Sequence, residues 1–328
     1  MQFVIVYGYN GYVARYVCIQ GKIFVYGIII FAKDIMHRPM ILVNEFLQVQ
    51  IDPKGAELRS LISRDSGYEY LWDADPRYWA KTSPVLFPIV GALKADTYVY
   101  KGTVYRLPRH GFARDCVFAA NQLSDAEVVF TLSDNDETRL VFPFSFRLSL
   151  RYRLTNRSLA CTYEVNNPAD SGTLLFSVGG HPAFAAASSG TGLHYEDYFL
   201  EFPDDDELVC HKLEGNLISS QVKTIPLQDH RLPLRHELFY NDALVLKTLR
   251  SNTVALKNGV NEREVRLNRE GFPYFGIWAA KDADFVCLEP WCGIADHVVH
   301  NQVWNEKEGL QRLEAGRRWA RTWEVQLT

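Results

Sequence analysis

The sequence predicts an all-β fold, a large sandwich or barrel, from three observations. Apolar and polar residues alternate with a period of two through much of the chain after residue 40. Turn signals built from Gly, Asn, Asp and Ser recur about every eight to twelve residues. Helical periodicity is scarce. A period of two marks antiparallel strands with one wet and one buried face, and short strands at even spacing mark sandwiches and barrels.

Taken in chain order, the first 39 residues stand apart. They are rich in aromatic and β-branched residues, and their apolar run Ile23–Ala32 is ten residues long, too short to span a bilayer. No small-residue cleavage site follows cleanly, so a signal peptide is not supported. The simplest expectation is a translation start at Met36 or Met40, with residues 1–39 an extension of uncertain standing and one β domain over 40–328. Tyr98–Tyr105 reads as two short strands around a Lys101-Gly102 turn. Glu127–Leu132 reads as a strand ending in Ser-Asp-Asn-Asp. Phe146, Leu148, Leu150, Tyr152 and Leu154 alternate with polar residues, as do Leu159, Cys161, Tyr163 and Val165 after the turn at 155–158. That is a hairpin with one apolar face. Val265–Leu267, Phe275–Trp278 and Trp323–Leu327 read as further strands. His297–Gly309 has room for a short helix, and Pro226–Tyr240 carries mixed signals. No repeat, low-complexity tract or linker divides the chain.

A chain of 328 residues with 47% hydrophobic composition is ample for a sizeable core. Its net charge of −4 comes without a basic stripe, so nucleic acid is not an expected partner. The six cysteines form no C-x-x-C pair. Their scatter predicts free thiols in a reducing cytoplasm. The aspartates 204–206 read as a solvated turn.

Three segments could carry chemistry. In Arg109-His-Gly-Phe-Ala-Arg114, His110 follows a proline and precedes a glycine, with two arginines at hand to hold oxygens; a solvated loop would look the same. In Gly179-Gly-His-Pro-Ala-Phe184, Pro182 pushes His181 toward extended geometry and the glycines allow close backbone approach. A histidine with fixed aim and a pKa near neutrality suits a general acid, although a capped turn would also use one. In Phe285-Val-Cys-Leu-Glu-Pro-Trp291, strand parity sends Glu289 the way Phe285 and Cys287 point. A buried carboxylate is costly unless paired or used, unless Glu289 simply reaches solvent at a strand end. Pro290 is expected to end the ladder, and Trp291 offers a flat ring for a sugar. His297 and His300 lack an evident third metal ligand. His194-Tyr-Glu196 lacks the Pro-Cys-x-x-Cys of a zinc deaminase. No nucleotide-binding glycine pattern or G-x-S-x-G is present.

Together and in this order, the three segments resemble the aldose 1-epimerase (galactose mutarotase-like) family, above all its LacX-like branch. Asn44-Glu-Phe-Leu, Ile51-Asp-Pro-Lys-Gly-Ala-Glu-Leu-Arg-Ser-Leu, Pro84-Val-Leu-Phe-Pro-Ile-Val-Gly and Asn241-Asp-Ala-Leu extend the resemblance over residues 41–328. It implies a large antiparallel β-sandwich, the galactose mutarotase-like supersandwich, with an open sugar cleft. It implies His181 as general acid, Glu289 as general base, His110 as an assisting histidine and Asp242 as a ligand for sugar hydroxyls. The implied activity interconverts the α and β anomers of an aldohexose with no metal and no cofactor. The expected partner is a monosaccharide, not a membrane, and the expected assembly is a monomer or homodimer. Family members often carry an arginine just after Val-Gly. Here that place is Ala92, with Lys94 and Arg114 as the partial replacements. Two alternatives stay open: a carbohydrate-binding protein without turnover, and an epimerase for phosphorylated hexoses using Arg109, Arg114 and Lys94.

Overall fold

The structure, a computed structural model, describes residues 38–187 and 192–328, together with the backbone of three strands, Phe3–Tyr7, Val13–Ile19 and Lys22–Val25. Residues 26–37, which hold most of the apolar run Ile23–Ala32 and Met36, lie outside the described residues. The chain forms two compact units, Met1–Pro39 and Met40–Thr328. In the first, the three strands pair antiparallel in sequence order.

The second unit is built on two large antiparallel sheets. One has nine strands and places Arg318–Leu327 centrally, between Ser158–Asn166 and Glu264–Asn268. The hairpin expected from alternation is Arg147–Thr155 paired with Ser158–Asn166, and Leu148, Leu150, Tyr152, Leu159, Cys161, Tyr163 and Val165 are all buried. The other sheet has seven strands and is centred on Phe285–Cys292 and Tyr274–Trp278. One continuous apolar cluster takes side chains from both, from Leu150 and Tyr152 to Phe275, Ile277 and Phe285. Pooling two inner faces in a single core is the logic of a sandwich. The short strands Thr97–Tyr100 and Thr103–Arg106 turn at Lys101 and Gly102, both with positive φ, which suits the twist of a tight hairpin.

Three expectations change. The strand at residue 285 does not stop at Pro290 but continues to Cys292. Pro290 faces the place where Gly180–Pro182 leaves the neighbouring ladder, so its missing N–H costs no strand bond there, while its carbonyl accepts from Gly180 N at 3.1 Å. No α-helix forms over His297–Gly309, which holds only a 3₁₀ turn at Trp304–Glu306. A short α-helix does form at Asp136–Val141, directly after the Ser-Asp-Asn turn and beyond what was read there, started by reciprocal bonds between Asn135 and Thr138.

Candidate active site

Strand pairing explains the constrained histidine. Val178–Gly179 and Ala183–Ala185 both pair with Phe285–Cys292, with Gly179 opposite Trp291 and Ala183 opposite Cys287. The same register runs on either side of the gap, so His181 lies opposite Glu289. The chain can leave and rejoin the strand only if residue 180 has no side chain: a Cβ on Gly180 would sit 2.6 Å from the Tyr163 hydroxyl oxygen. His181 Nε2 is thereby placed 3.1 Å from Glu289 Oε2, with both residues buried. The imidazole packs against Trp79 and Trp278, at 5.0 and 5.7 Å between ring centroids. Those contacts restrict the rotation of the ring and fix its aim.

His110 reaches the same place from another loop, its ring 5.9 Å from that of His181. Its backbone sits at φ 68°, a left-handed conformation that a non-glycine residue rarely adopts. Residues 87–91 hold it there: Phe87 N donates to the His110 carbonyl, His110 N to the Gly91 carbonyl, and Gly91 N to His110 Nδ1. Arg109 Nε also points at His110 Nε2, at 3.1 Å. A neutral imidazole accepts at only one nitrogen. The Gly91 amide is fixed in the backbone, so Nδ1 is the acceptor and Nε2 carries the proton. The Arg109 side chain is 44% exposed and is the partner free to move aside.

Arg109, Asn216, Ala243, Val245, Trp278 and Ile294 complete the pocket around these groups, which encloses ≈ 400 Å³ with its mouth. Trp291 forms its floor, lying so closely on Gly276 that a Cβ there would come within 2.3 Å of the indole. The wall at Ile294 and Ala295 is fixed from behind by an ion pair. Lys307, itself buried, donates to the Ile294 carbonyl at 2.6 Å and to Asp296 at 2.9 Å. Three buried polar atoms in or against the pocket have no aligned hydrogen-bond partner in the protein: His181 Nδ1, Glu289 Oε2 and Trp291 Nε1. Each such atom in a buried position calls for a partner, which a polar ligand in the pocket would supply.

Electrostatics follow from burial. Burial pushes the His181 pKa down to about 3, opposed by a hydrogen bond to its own backbone and helped by Arg109 and Arg114. Burial raises the Glu289 carboxyl well above its usual range, opposed by Arg109 and reinforced by Asp242. His110 is also pushed well below its normal value, by burial first and then by His181 and the two arginines. Both shifts favour the uncharged forms, a neutral imidazole beside a neutral carboxyl.

The structure brings His110, His181, Glu289 and Trp291 together. Asp242 does not line the pocket itself but precedes the lining residue Ala243, at φ 85° and 3.9 Å from Arg109. Arg114 and Lys94 do not line the pocket. Arg114 donates to the Arg109 carbonyl at 2.9 Å, bracing the loop from behind, and Lys94 Nζ donates to the His300 carbonyl at 3.2 Å. The guanidinium in the pocket is that of Arg109, bonded to Asn216 at 3.0 Å. Sequence reading missed Asn216, Trp79 and Trp278 as site residues. The first looks like an ordinary Gly-Asn turn, and the tryptophans look like core.

Comparison with known proteins identifies the family and the fold. A family model described as aldose 1-epimerase matches residues 40–326. The protein LacX (chromosomal) of Lactococcus lactis subsp. lactis is 32% identical over 279 residues, covering 82% of this chain and 93% of LacX. A galactose mutarotase related enzyme from Lactobacillus acidophilus is similar in structure at 33% identity and a TM-score of 0.84, over 89% of this chain and 97% of that one. A galactose mutarotase-like protein from Lactobacillus casei is similar at 31% identity and a TM-score of 0.81, over 89% of this chain and 100% of that one.

Proposed function

The chain belongs to the aldose 1-epimerase family, and we propose that it is a mutarotase, interconverting the α and β anomers of an aldohexose by general acid–base catalysis. One observation carries the reading: His181 and Glu289 stand 3.1 Å apart in one pocket, with unpaired polar atoms on both. Ring opening must take a proton from the anomeric hydroxyl and give one to the ring oxygen. Both oxygens are bonded to C1, so acceptor and donor must be neighbours.

The resting proton lies on Glu289, so the working state forms when it crosses to His181. Sugar hydroxyls and Arg109 favour that transfer, because polar groups stabilise the ion pair that an empty apolar pocket disfavours. Glu289 then takes the hydroxyl proton as His181 protonates the ring oxygen, and the C1–O5 bond breaks. The aldehyde turns about C1–C2. His181 recovers its proton as the ring closes on the other face, and Glu289 returns its own. The Nε2–H of His110 donates to a sugar oxygen, and Asp242 holds a hydroxyl beside Arg109. The residues carry the protons themselves, so the scheme calls on neither metal nor cofactor.

Polarimetry on freshly dissolved α-glucose and α-galactose tests this. The protein is expected to accelerate the approach to equilibrium, with His181→Ala and Glu289→Gln each losing roughly 10²–10⁴-fold. His110→Asn should lose less. Wild-type turnover in either dyad variant would overturn the assigned roles. No acceleration of either sugar would move the reading to a modified hexose or to binding without turnover.

A further inference from the structure

The dyad has a third neighbour that the proposed chemistry leaves idle. Cys287 shares a strand face with Glu289, two residues on, and pairs with Ala183 just past His181. One ligand atom from each of His181, Cys287 and Glu289 lies within 4.8 Å of the others, and all three residues are buried. Five cysteines among the described residues are free thiols, and this one alone is part of a group of three such donors.

We propose that His181, Cys287 and Glu289 form a binding site for a thiophilic divalent cation of the zinc class, and that its occupation blocks the pocket. Four points support the site. The donor set is one imidazole nitrogen, one thiol and one carboxylate, the kind of three-ligand set that zinc accepts with a fourth position left open. The 3.1 Å between Nε2 and Oε2 is close to the edge of a tetrahedron around zinc, roughly 3.3 Å for metal–ligand bonds near 2.0 Å. Glu289 Oε2 makes no aligned hydrogen bond despite that short distance, so its lone pairs remain available. The pocket reaches His181 and Glu289 directly, which gives a cation its way in and a water its fourth position.

The chemistry balances without a further reactant. The sulfur–hydrogen bond of Cys287 breaks, the sulfur–metal bond forms, and the thiol proton leaves to pocket water. The carboxyl proton of Glu289 leaves the same way. His181 Nδ1 has no partner beyond its own residue's backbone, whereas permanent zinc sites brace that nitrogen with a carboxylate or a neighbouring carbonyl. Occupation is therefore reversible, and the cation acts as an inhibitor rather than a structural element. The binding site stands on its own geometry, and only the blocking effect rests on the mutarotase reading.

Cobalt(II) is the probe, since a cobalt–thiolate bond announces itself by a near-ultraviolet charge-transfer band. Titration of the full chain in a non-chelating buffer should raise that band to saturation at one equivalent, and zinc chloride should bleach it. Cys287→Ser should abolish the band, while Cys116→Ser, at the more exposed thiol, should keep it. Glu289→Gln should keep the band but weaken cobalt binding at least roughly tenfold. Absence of the band at one equivalent, its survival in Cys287→Ser, or unchanged affinity in Glu289→Gln would each overturn the site. Zinc should also suppress mutarotation competitively with sugar. Binding without inhibition would overturn the blocking effect and leave the site standing. If no sugar is turned over, the cobalt band still decides the site.

Discussion

Burial sets the protonation of the His181–Glu289 pair, and that has a measurable cost in stability. The folded state holds the Glu289 carboxyl well above its ordinary 4.5. As pH rises past 4.5 the unfolded chain releases this proton while the folded state keeps it, so stability falls. His181 works in the other direction. Its folded pKa is about 3 against 6.5, so the stability present above 6.5 is lost as pH falls through that window. Glu289→Gln removes the first effect and leaves the second. The variant should match the wild type below pH 4.5 and exceed it increasingly above, by about 1 kcal/mol or more at pH 8. Thermal melts at several pH values would show this as a gap of roughly 2–4 °C. A gap that shrinks with rising pH would contradict the buried, protonated carboxyl. The stretches holding His181, Glu289 and His110 stood out in the sequence because each carries prolines that restrict the backbone or glycines that free it for a close approach. Arg109 was legible only as one of three cations. Choosing it over Lys94 and Arg114 needs the Asn216 contact, made across more than a hundred residues.

At the level of single elements, the strand Phe285–Cys292 does most to shape the site. Parity puts Cys287, Glu289 and Trp291 on one face, and Gly276 on the adjoining strand leaves room for the indole. Gly276→Ala would drive a methyl group into that ring. The expected result is a loss of about 1–3 kcal/mol from overpacking, together with a KM that rises more than kcat falls, since the floor moves and the dyad does not. Denaturant unfolding and steady-state kinetics on the same preparation would separate the two. An unchanged KM would mean that Trp291 does not bear on the ligand. Strands were legible at this scale because alternation is local. The continuation through Pro290 was not, since it depends on which neighbour happens to be missing opposite that residue. The helix Asp136–Val141 is too short for a period to show, though Asn135 and Thr138 carried its capping signal.

For the whole molecule, every described core side chain and every residue of the candidate site falls within Met40–Thr328. A chain starting at Met40 is expected to unfold in one cooperative transition and to match the full chain in the proposed mutarotase activity, by circular dichroism and polarimetry. Loss of either would assign residues 1–39 a structural part. The all-β class was legible from period and turns, whereas the strand order was not, because it rests on pairings between distant residues. One of those pairings has a consequence for synthesis. The strand Arg318–Leu327 lies inside the nine-stranded sheet, between segments made about 150 and 50 residues earlier. Until a ribosome has released residue 327, those two segments present open edges to each other and to other nascent chains. The nine-stranded sheet therefore closes only after residue 327 has emerged, and chains cut short before residue 318 are candidates for chaperone capture and degradation.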